Sequence, residues 1–464
     1  VSGGRPDAAA QEAARNLEEM KRVREIEEEI LARAPENDIG PSLERIRAVM
    51  ELAGDPQRAY PTIHLTGTNG KTSTSRMIDA ILRESGLSTG RFTSPHLHDI
   101  RERITLSGKP IPREKFIAAY EDVAPLIEIV DARSLEEGGR RMNFFEVLVA
   151  VAYAAFADAP VDVAVIEVGL GGSWDATNVI DAQVAVVTPV DLDHTHLLGD
   201  DVVAIAEEKS GIIKADSFTV SGVQDEDVAR VLLDRVEEVG GSRIVFEGND
   251  FGVLEREVAV GGQQVSLRGL VGDHPDLFLP LHGAHQASNL ATAVAAVEAF
   301  LGGGEQALDT EVLRAACASM TSPGRLEVVR RSPTVLVDAA HNPHGARSLV
   351  AALGESFTFT RLVGLVGIVA DKDAVGMLEV LEPALDHVVV SRSTSPRALD
   401  PEKLGDLARE VFGESRVTVV DALPDALEQA VTLAEQDGMG GGVVATGSVI
   451  TAGEVRMLLG HTEV

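Results

Sequence analysis

The stretch PTIHLTGTNGKTSTSRMIDAIL, residues 61–82, decides the fold. A short apolar strand runs into Gly67-Thr68-Asn69-Gly70-Lys71-Thr72-Ser73, and an amphipathic helix follows. Glycines let backbone N–H groups turn toward one point, and the helix adds the partial positive charge of its N-terminus. Lys71 is placed to reach outer phosphates, and a hydroxyl at Thr72 or Ser73 to bind Mg²⁺. The segment reads as a phosphate-binding loop, but a short one. The common Gly-x-x-x-x-Gly-Lys pattern has a glycine five residues before Gly70, where Leu65 stands. The structural alternative is a Gly-rich turn with an incidental lysine. The agreement of strand, glycines, Gly-Lys-Thr and helix favours phosphate.

Outward from this loop, apolar runs alternate with amphipathic stretches. The pattern predicts strands at 62–65, 161–168, 182–187, 334–337, 362–366, 387–390 and 442–445, with helical patterns between most of them. Such alternation predicts an α/β protein with mostly parallel sheets covered on both faces. Between 243 and 280 short β-like runs with Gly-rich turns predict a small antiparallel patch. Ser, Pro and Gly cluster in ASMTSPGRLEVV, residues 318–329, and a second α/β series follows. We therefore expect a large N-terminal domain over 1–321 and a smaller Rossmann-like domain over 322–464. Near the start, Leu17, Met20, Val23, Ile26 and Ile30 recur at helical spacing, which predicts a helix lying on the domain through one apolar stripe. GMGGG at 438–442 suggests a mobile loop before the last strand.

Bulk properties narrow the function. With 464 residues, 44% of them hydrophobic, and mean hydropathy of +0.07, a sizeable core can be buried. No apolar window is long enough for a transmembrane helix, and the acidic N-terminus lacks a signal-peptide core. The single cysteine, Cys317, leaves no internal disulfide and fits a reducing cytoplasm. Acidic residues outnumber basic ones 73 to 41, for a formal charge of −32. That balance argues against nucleic acid and anionic membrane as partners. A polyanionic substrate must then be met by a local cluster of cations, metal and backbone N–H groups.

Several strand ends carry polar groups. In VDVAVIEVGLGGSWDATNVI, residues 161–180, Glu167 ends an otherwise apolar strand. A carboxylate there must face a crevice or find a cation, and Mg²⁺ on a nucleotide qualifies; a salt-bridged glutamate is the plainer reading. In VAVVTPVDLDHTHLLGD, residues 184–200, Asp191, Asp193, His194 and His196 follow a strand. A histidine in such a loop is more often a hydrogen-bonded turn residue than a ligand. Lys209 sits in AIAEEKSGIIKAD, where the ordinary expectation is a buried stem with an exposed head. Asn289 falls in the first turns of a helix. Asp338 ends a strand, and His341 begins the next helix. Arg325, in the linker, can reach a ligand held between the domains.

These motifs together resemble dihydrofolate synthase/folylpolyglutamate synthase, a branch of the ATP-dependent Mur ligase superfamily. TGTNGKTS is close to that family's Thr-Gly-Thr-Asn-Gly-Lys-Gly-Ser. TSPHLHDIRERI matches its Ser-Pro-His-Leu followed by Glu-Arg-Ile. NFFEVL, EVGLGGSWDATN, DHTHLLG, EEKSGIIK, GAHQASNLATA, SPGRLE, VDAAHNPHG, DKDAVGML and SPRALDPEKL follow in family order. The short loop thus resembles the ligase version, which activates a carboxylate.

The resemblance implies roles. Thr68, Asn69, Gly70, Lys71, Thr72 and Ser73 would hold the ATP phosphates, and Asn289, Arg325 and Asp338 would contact ATP. Ser94, Glu167 and His194 would coordinate Mg²⁺. Lys209 resembles the lysine carbamylated in this superfamily, and His341 the histidine near the transferred phosphate. Lys71, Lys209 and His341 are thus the implied catalytic residues. Asp38, Ile39 and Gly40 would touch a pteridine, with Asn143, Phe144, Phe145, Glu146, Trp174, Asp175 and Ala176 completing its pocket. Phe144 and Phe145 point about 100° apart on a helix, so one of them is a core residue. The implied substrates are ATP, L-glutamate and dihydropteroate or a reduced folate, on a cytoplasmic monomer. Three departures stand out. GGSWD replaces Gly-Gly-Arg-Leu-Asp, Thr72 replaces a glycine, and Ala339 replaces a common glycine. Folylpolyglutamate synthesis alone, another Mur-type amino-acid ligase and a nucleotide-gated binding protein are the rival readings.

Overall fold

The computed structural model describes residues 8–35, 40–241, 243–436 and 438–461. Three sheets organise them. The first contains β1 (Thr62–Thr66), β2 (Thr89–Phe92), β3 (Ile104–Leu106), β4 (Lys109–Pro110), β5 (Val163–Glu167), β6 (Val184–Val187), β7 (Phe218–Ser221) and β8 (Arg243–Phe246). Its order is β4-β3-β2-β5-β1-β6-β7-β8. β3 and β4 are antiparallel additions at one edge, and the other pairings are parallel. β1 and β5 are buried along their whole length, and the polar residues of β1 find partners inside, as His64 Nε2 does at Thr177 Oγ1, 2.9 Å away.

β9 (Gly252–Ala259), β10 (Gly262–Arg268) and β11 (Asp273–Leu279) form a separate antiparallel sheet. The antiparallel patch is thus smaller than the sequence suggests. Residues 243–246 instead extend the large sheet as its last parallel strand, beside β7.

The second domain holds β12 (Glu327–Arg331), β13 (Thr334–Val337), β14 (Arg361–Val366), β15 (His387–Arg392), β16 (Val417–Ala422) and β17 (Gly441–Thr446), in the order β12-β13-β17-β14-β15-β16. Only β12 pairs antiparallel. Gly441 and Gly442 belong to β17 rather than to a loop. A Cβ at Gly441 would lie 1.8 Å from the Ala434 carbonyl, and one at Gly442 would lie 2.4 Å from the Phe359 ring. These glycines therefore admit close packing.

Seven helices matter for the site: α1 (Ala8–Leu31), α2 (Lys71–Glu84), α3 (Phe144–Asp158), α4 (Val202–Ser210), α5 (Ala284–Gly302), α6 (Pro343–Ser356) and α7 (Val449–Leu458). α1 docks through Val23, Ile26 and Ile30, while Leu17 and Met20, nearer its start, stay exposed. No described helix is long and apolar enough to cross a membrane.

Candidate active site

The carboxyl ends of β1, β5 and β6 in the first domain face those of β13, β14 and β17 in the second, around one cavity of about 490 Å³. This is the crevice in which open α/β sheets place ligands.

The loop after β1 forms one wall. Gly67 has φ of +144° and Gly70 +87°; a Cβ on the first would lie 1.9 Å from Thr188 Oγ1, and on the second 2.6 Å from Asn289 Oδ1. Both positions therefore demand glycine. The loop is strapped to the β6 exit: Thr68 N–H donates to the Pro189 carbonyl at 3.0 Å, and Thr68 Oγ1 donates to the Asp191 carbonyl at 2.8 Å. Lys71 Nζ donates to the carbonyls of Gly67 and Thr68 at 2.8 and 3.2 Å. Burial lowers its pKa, against the opposing pull of Glu167 and Asp193.

The two hydroxyls after Lys71 diverge. Thr72 Oγ1 donates to Glu167 Oε1 at 2.9 Å, whereas Ser73 Oγ meets Ser322 Oγ of the linker at 3.0 Å. Glu167 is buried and its Oε2 has no hydrogen-bond partner among the described residues. Burial pushes its carboxyl up to about 7, against the pull of Lys71 and the Thr72 hydrogen bond. An orphaned carboxylate oxygen on a cavity-lining residue is a poor structural salt bridge and a good seat for a cation. Ser94 and His194 line the same cavity. Burial and then the charge of Lys372 lower the pKa of His194 to about 3, so its imidazole is neutral at physiological pH. Among the described residues no three His, Cys, Asp or Glu side chains group as a metal cage.

Lys209 is where sequence expectation and structure diverge most. Its ammonium end is buried, and Nζ donates to the Gly67 carbonyl at 3.0 Å across 142 residues. Burial, with Lys71 nearby, lowers its pKa to about 7. It is therefore no ordinary lysine with a solvated head.

The second domain supplies the opposite wall. Asp338 accepts from Leu326 N–H and Ala340 N–H, both at 2.8 Å, so it shapes the turns on either side of the strand end. His341 Nδ1 meets the Ala339 carbonyl at 2.9 Å and its Nε2 lies 3.6 Å from Asp193 Oδ2. Arg325 completes this side of the cavity, while Asn289, on α5 of the first domain, lines it beside Gly70.

Sequence reading passed over the hub between these walls. Asp193 receives Lys372 Nζ at 2.5 Å and Asn342 Nδ2 at 3.1 Å, both from the second domain. Burial pushes the Asp193 carboxyl up, but the His341 hydrogen bond and the Lys372 charge outweigh it and hold it well below the usual carboxylate range. Lys372 also lies 3.1 Å from His194 Nε2. Asn342 further binds Asn69 Oδ1 at 3.2 Å, tying the phosphate loop to the start of α6. DKDAVGML contained Lys372, but only the fold brings it to Asp193.

A third region of the cavity holds Gly40, Asn143, Phe145, Glu146, Trp174, Asp175 and Ala176. Asp38 and Ile39 lie outside the described residues. Phe144 does not line the cavity; its ring carries the Arg103 guanidinium at 4.9 Å. Arg103 in turn donates to His96 Nδ1 at 3.0 Å, and both of these line the cavity. Asn143 and Glu146 form a reciprocal capping box at the start of α3, each bond 2.9 Å. Glu146 also pairs with Arg45 at 3.1 Å. Asp175 accepts from Leu170 N–H and Thr177 N–H, both at 2.9 Å, and from the Thr177 hydroxyl. Burial raises its pKa to about 6. These polar groups build the wall by binding protein donors. Ser173, at the departure from the arginine pattern, packs against the end of α4, where its Oγ donates to the Glu208 carbonyl at 3.0 Å.

Comparison with known proteins agrees with this architecture. The family description "Mur ligase, glutamate ligase domain" matches residues 324–449. Over 99% of both chains, the sequence is 48% identical to the dihydrofolate synthase/folylpolyglutamate synthase of Mycobacterium tuberculosis. The folylpolyglutamate synthase structure from that organism, complexed with ADP and AMPPCP, superposes with a TM-score of 0.91 at 48% identity, covering 96% of this chain and 100% of its own. Escherichia coli FolC in complex with DHPP and ADP superposes with a TM-score of 0.80 at 29% identity, over 93% of this chain and 96% of its own. Full-length identity of this order, on one shared fold, settles kinship: the chain belongs to the dihydrofolate synthase/folylpolyglutamate synthase family.

Proposed function

We propose that the chain is an ATP-dependent ligase that joins L-glutamate to dihydropteroate and to the glutamate tail of reduced folates. The observation that carries this reading is the meeting of the two strand-end walls. A phosphate loop with Lys71 and Glu167 stands on one side, and Asp338, His341 and Lys372 on the other, around one cavity. ATP lies along the phosphate loop, with Asn289, Arg325 and Asp338 on its nucleoside side. The pterin lies toward Gly40, Phe145, Trp174 and Ala176, and glutamate enters from the second domain. The division between the domains falls near residue 321.

A substrate carboxylate oxygen attacks the γ-phosphorus, the bond to the β,γ-bridging oxygen breaks, and ADP and an acyl phosphate result. The glutamate nitrogen then attacks the acyl carbon. The tetrahedral intermediate expels inorganic phosphate, which carries away the amine's proton, and the amide remains. The protein contributes alignment and fixed charge. Lys71 and the loop N–H groups offset phosphate charge, and the neutral amine of Lys209 is competent to add CO₂ and become a carbamate.

Glu167, with Thr72, Ser94 and the neutral His194, suits Mg²⁺, which takes one or two carboxylates and completes its shell with water and phosphate oxygens. When bound, the ion supplies charge neutralisation on the transferred phosphoryl group. The orphaned Glu167 oxygen supports that fit, and Thr72 is the nearer hydroxyl of the loop pair. The protein acts as a cytoplasmic monomer.

The test is incubation with ATP, L-glutamate and either dihydropteroate or tetrahydrofolate, with amide and phosphate both measured. Turnover of tetrahydrofolate alone would narrow the activity to folylpolyglutamate synthesis. Asp38→Ala is expected to impair dihydropteroate ligation more than tetrahydrofolate extension, and equal losses would mark Asp38 as structural.

A further inference from the structure

The loop 93–103 bears Ser94 and His96 at the cavity and is held rigid from behind. Leu97, His98 and Asp99 donate their backbone N–H groups to the Glu102 carboxylate at 2.8, 3.1 and 2.9 Å. Its outer side meets the second domain. His98 Nε2 lies 2.9 Å from an Arg456 guanidinium nitrogen, which donates to it. Arg456 is buried on α7 and grips Glu327 with two nitrogens, at 2.7 and 3.1 Å. Glu327 also accepts from Gly324 N–H at 2.7 Å, which fixes the turn carrying Arg325. α7 presses on the loop itself: a Cβ at Gly453 would lie 2.8 Å from the Leu97 carbonyl oxygen. The residues opening α7, Ser448 to Ile450, line the cavity.

One buried guanidinium, carried by α7, thus holds the Ser94 loop directly through His98 and braces the Arg325 turn through Glu327, so it links three segments that each wall the cavity. It lies outside the cavity and contacts no substrate position. Its fork geometry allows one group to hold a carboxylate with two N–H groups and an imidazole with a third, which lysine does not reproduce.

We propose that Arg456 is a positioning residue that locks these three walls together, so that the acyl phosphate forms in a closed site and is delivered to glutamate rather than to water. The proposal rests on the ligase reading above. Closure of this kind excludes water and aligns the reacting groups, and a misplacement of about 1 Å can cost on the order of 10²-fold in rate.

The experiment measures phosphate released and amide formed by the wild type and by Arg456→Met, Arg456→Lys, His98→Phe and His98→Gln, with nucleotide affinity determined separately. The wild type is expected to release equal amounts. Arg456→Met and His98→Phe are expected to lose amide formation on the order of 10²-fold while releasing phosphate in excess, with nucleotide affinity unchanged. Arg456→Lys should recover part of the coupling, and His98→Gln, which retains an acceptor, should stay close to equality. Equal phosphate and amide in the Met and Phe variants at wild-type rate overturns the proposal. Should Arg456→Met not fold, His98→Phe decides alone by the same criterion. Absence of amide in the wild type overturns the ligase reading instead, and the proposal with it.

Discussion

Lys209 on α4 hands a hydrogen bond from its Nζ to the Gly67 carbonyl, at 3.0 Å, in the first turn of the phosphate loop. The residue proposed for carbamylation and the residue that shapes the loop are therefore one unit. Removing CO₂ and bicarbonate is expected to lower activity. Lys209→Ala should be inactive and partly rescued by short carboxylates, since the missing group is an anion. Full activity of Lys209→Ala without additives would rule the carbamate out.

The same burial makes a stability test. The Lys209 pKa is lowered from 10.5 to about 7 in the folded chain. Between these values the unfolded chain binds a proton that the folded chain does not, so this group's contribution to stability rises with pH across that window. Lys209→Met should therefore raise Tm over wild type at pH 7, with the gap closing toward pH 10. A gap independent of pH would mean that the amine is not desolvated.

Glu167 behaves with the opposite sign. Its pKa is raised from 4.5 to about 7, so the folded chain keeps a proton that the unfolded chain has lost. Its contribution is fully present below 4.5 and is lost as pH rises through about 7. Glu167→Gln should melt above wild type at pH 8 and close to it at pH 5, yet need far more Mg²⁺ for turnover. Unchanged Mg²⁺ dependence would remove Glu167 from the cation's shell.

Lys71→Ala should fold and lose ligation by at least 10²–10³-fold, roughly the loss seen when one preorganised charge-stabilising donor is removed. Circular dichroism matching wild type, together with near-normal turnover, would defeat the phosphate-loop assignment.

Asp193 and Lys372 form a mostly buried pair across the domains, at 2.5 Å. Breaking it from one side leaves an uncompensated charge and should cost about 3–5 kcal/mol. The double variant Asp193→Asn/Lys372→Met should cost less than the two single changes added together. Strict additivity in a double-mutant cycle of denaturant midpoints would show that the two are independent.

Much of this was legible beforehand because local chemistry dictated it. The glycines of the phosphate loop, the apolar strands and the carboxylate ending β5 each obey rules that act within a few residues. Residues 243–246 read as part of the antiparallel patch because alternation reveals a strand but not its partner, and only the packed sheet makes β8 parallel to β7. In NFFE, the spacing of Asn143 and Glu146 is also a capping-box signature, and both side chains, which line the cavity, bond across the helix start. Phe144 and Phe145 could be separated in principle, but not assigned, since the choice depends on which face meets the cavity. Lys372 and Arg456 were invisible as site components. Their partners, Asp193 and His98, lie 179 and 358 residues away, and no local pattern encodes a contact between domains.

None of the five apolar clusters among the described residues draws on both domains: three lie before residue 321, and two lie after 325. What joins the halves is largely polar, from Asp193–Lys372 to His98–Arg456, with local packing where Gly453 meets Leu97 and the His282 ring meets Phe357. Each half therefore owns a complete core, while the seam between them rests mainly on hydrogen bonds and ion pairs rather than on a shared apolar core. Heating should accordingly give two calorimetric transitions in the free protein. A compound that linked a nucleotide mimic to a glutamate mimic would grip both halves at once and, by mass action, draw the two peaks into one.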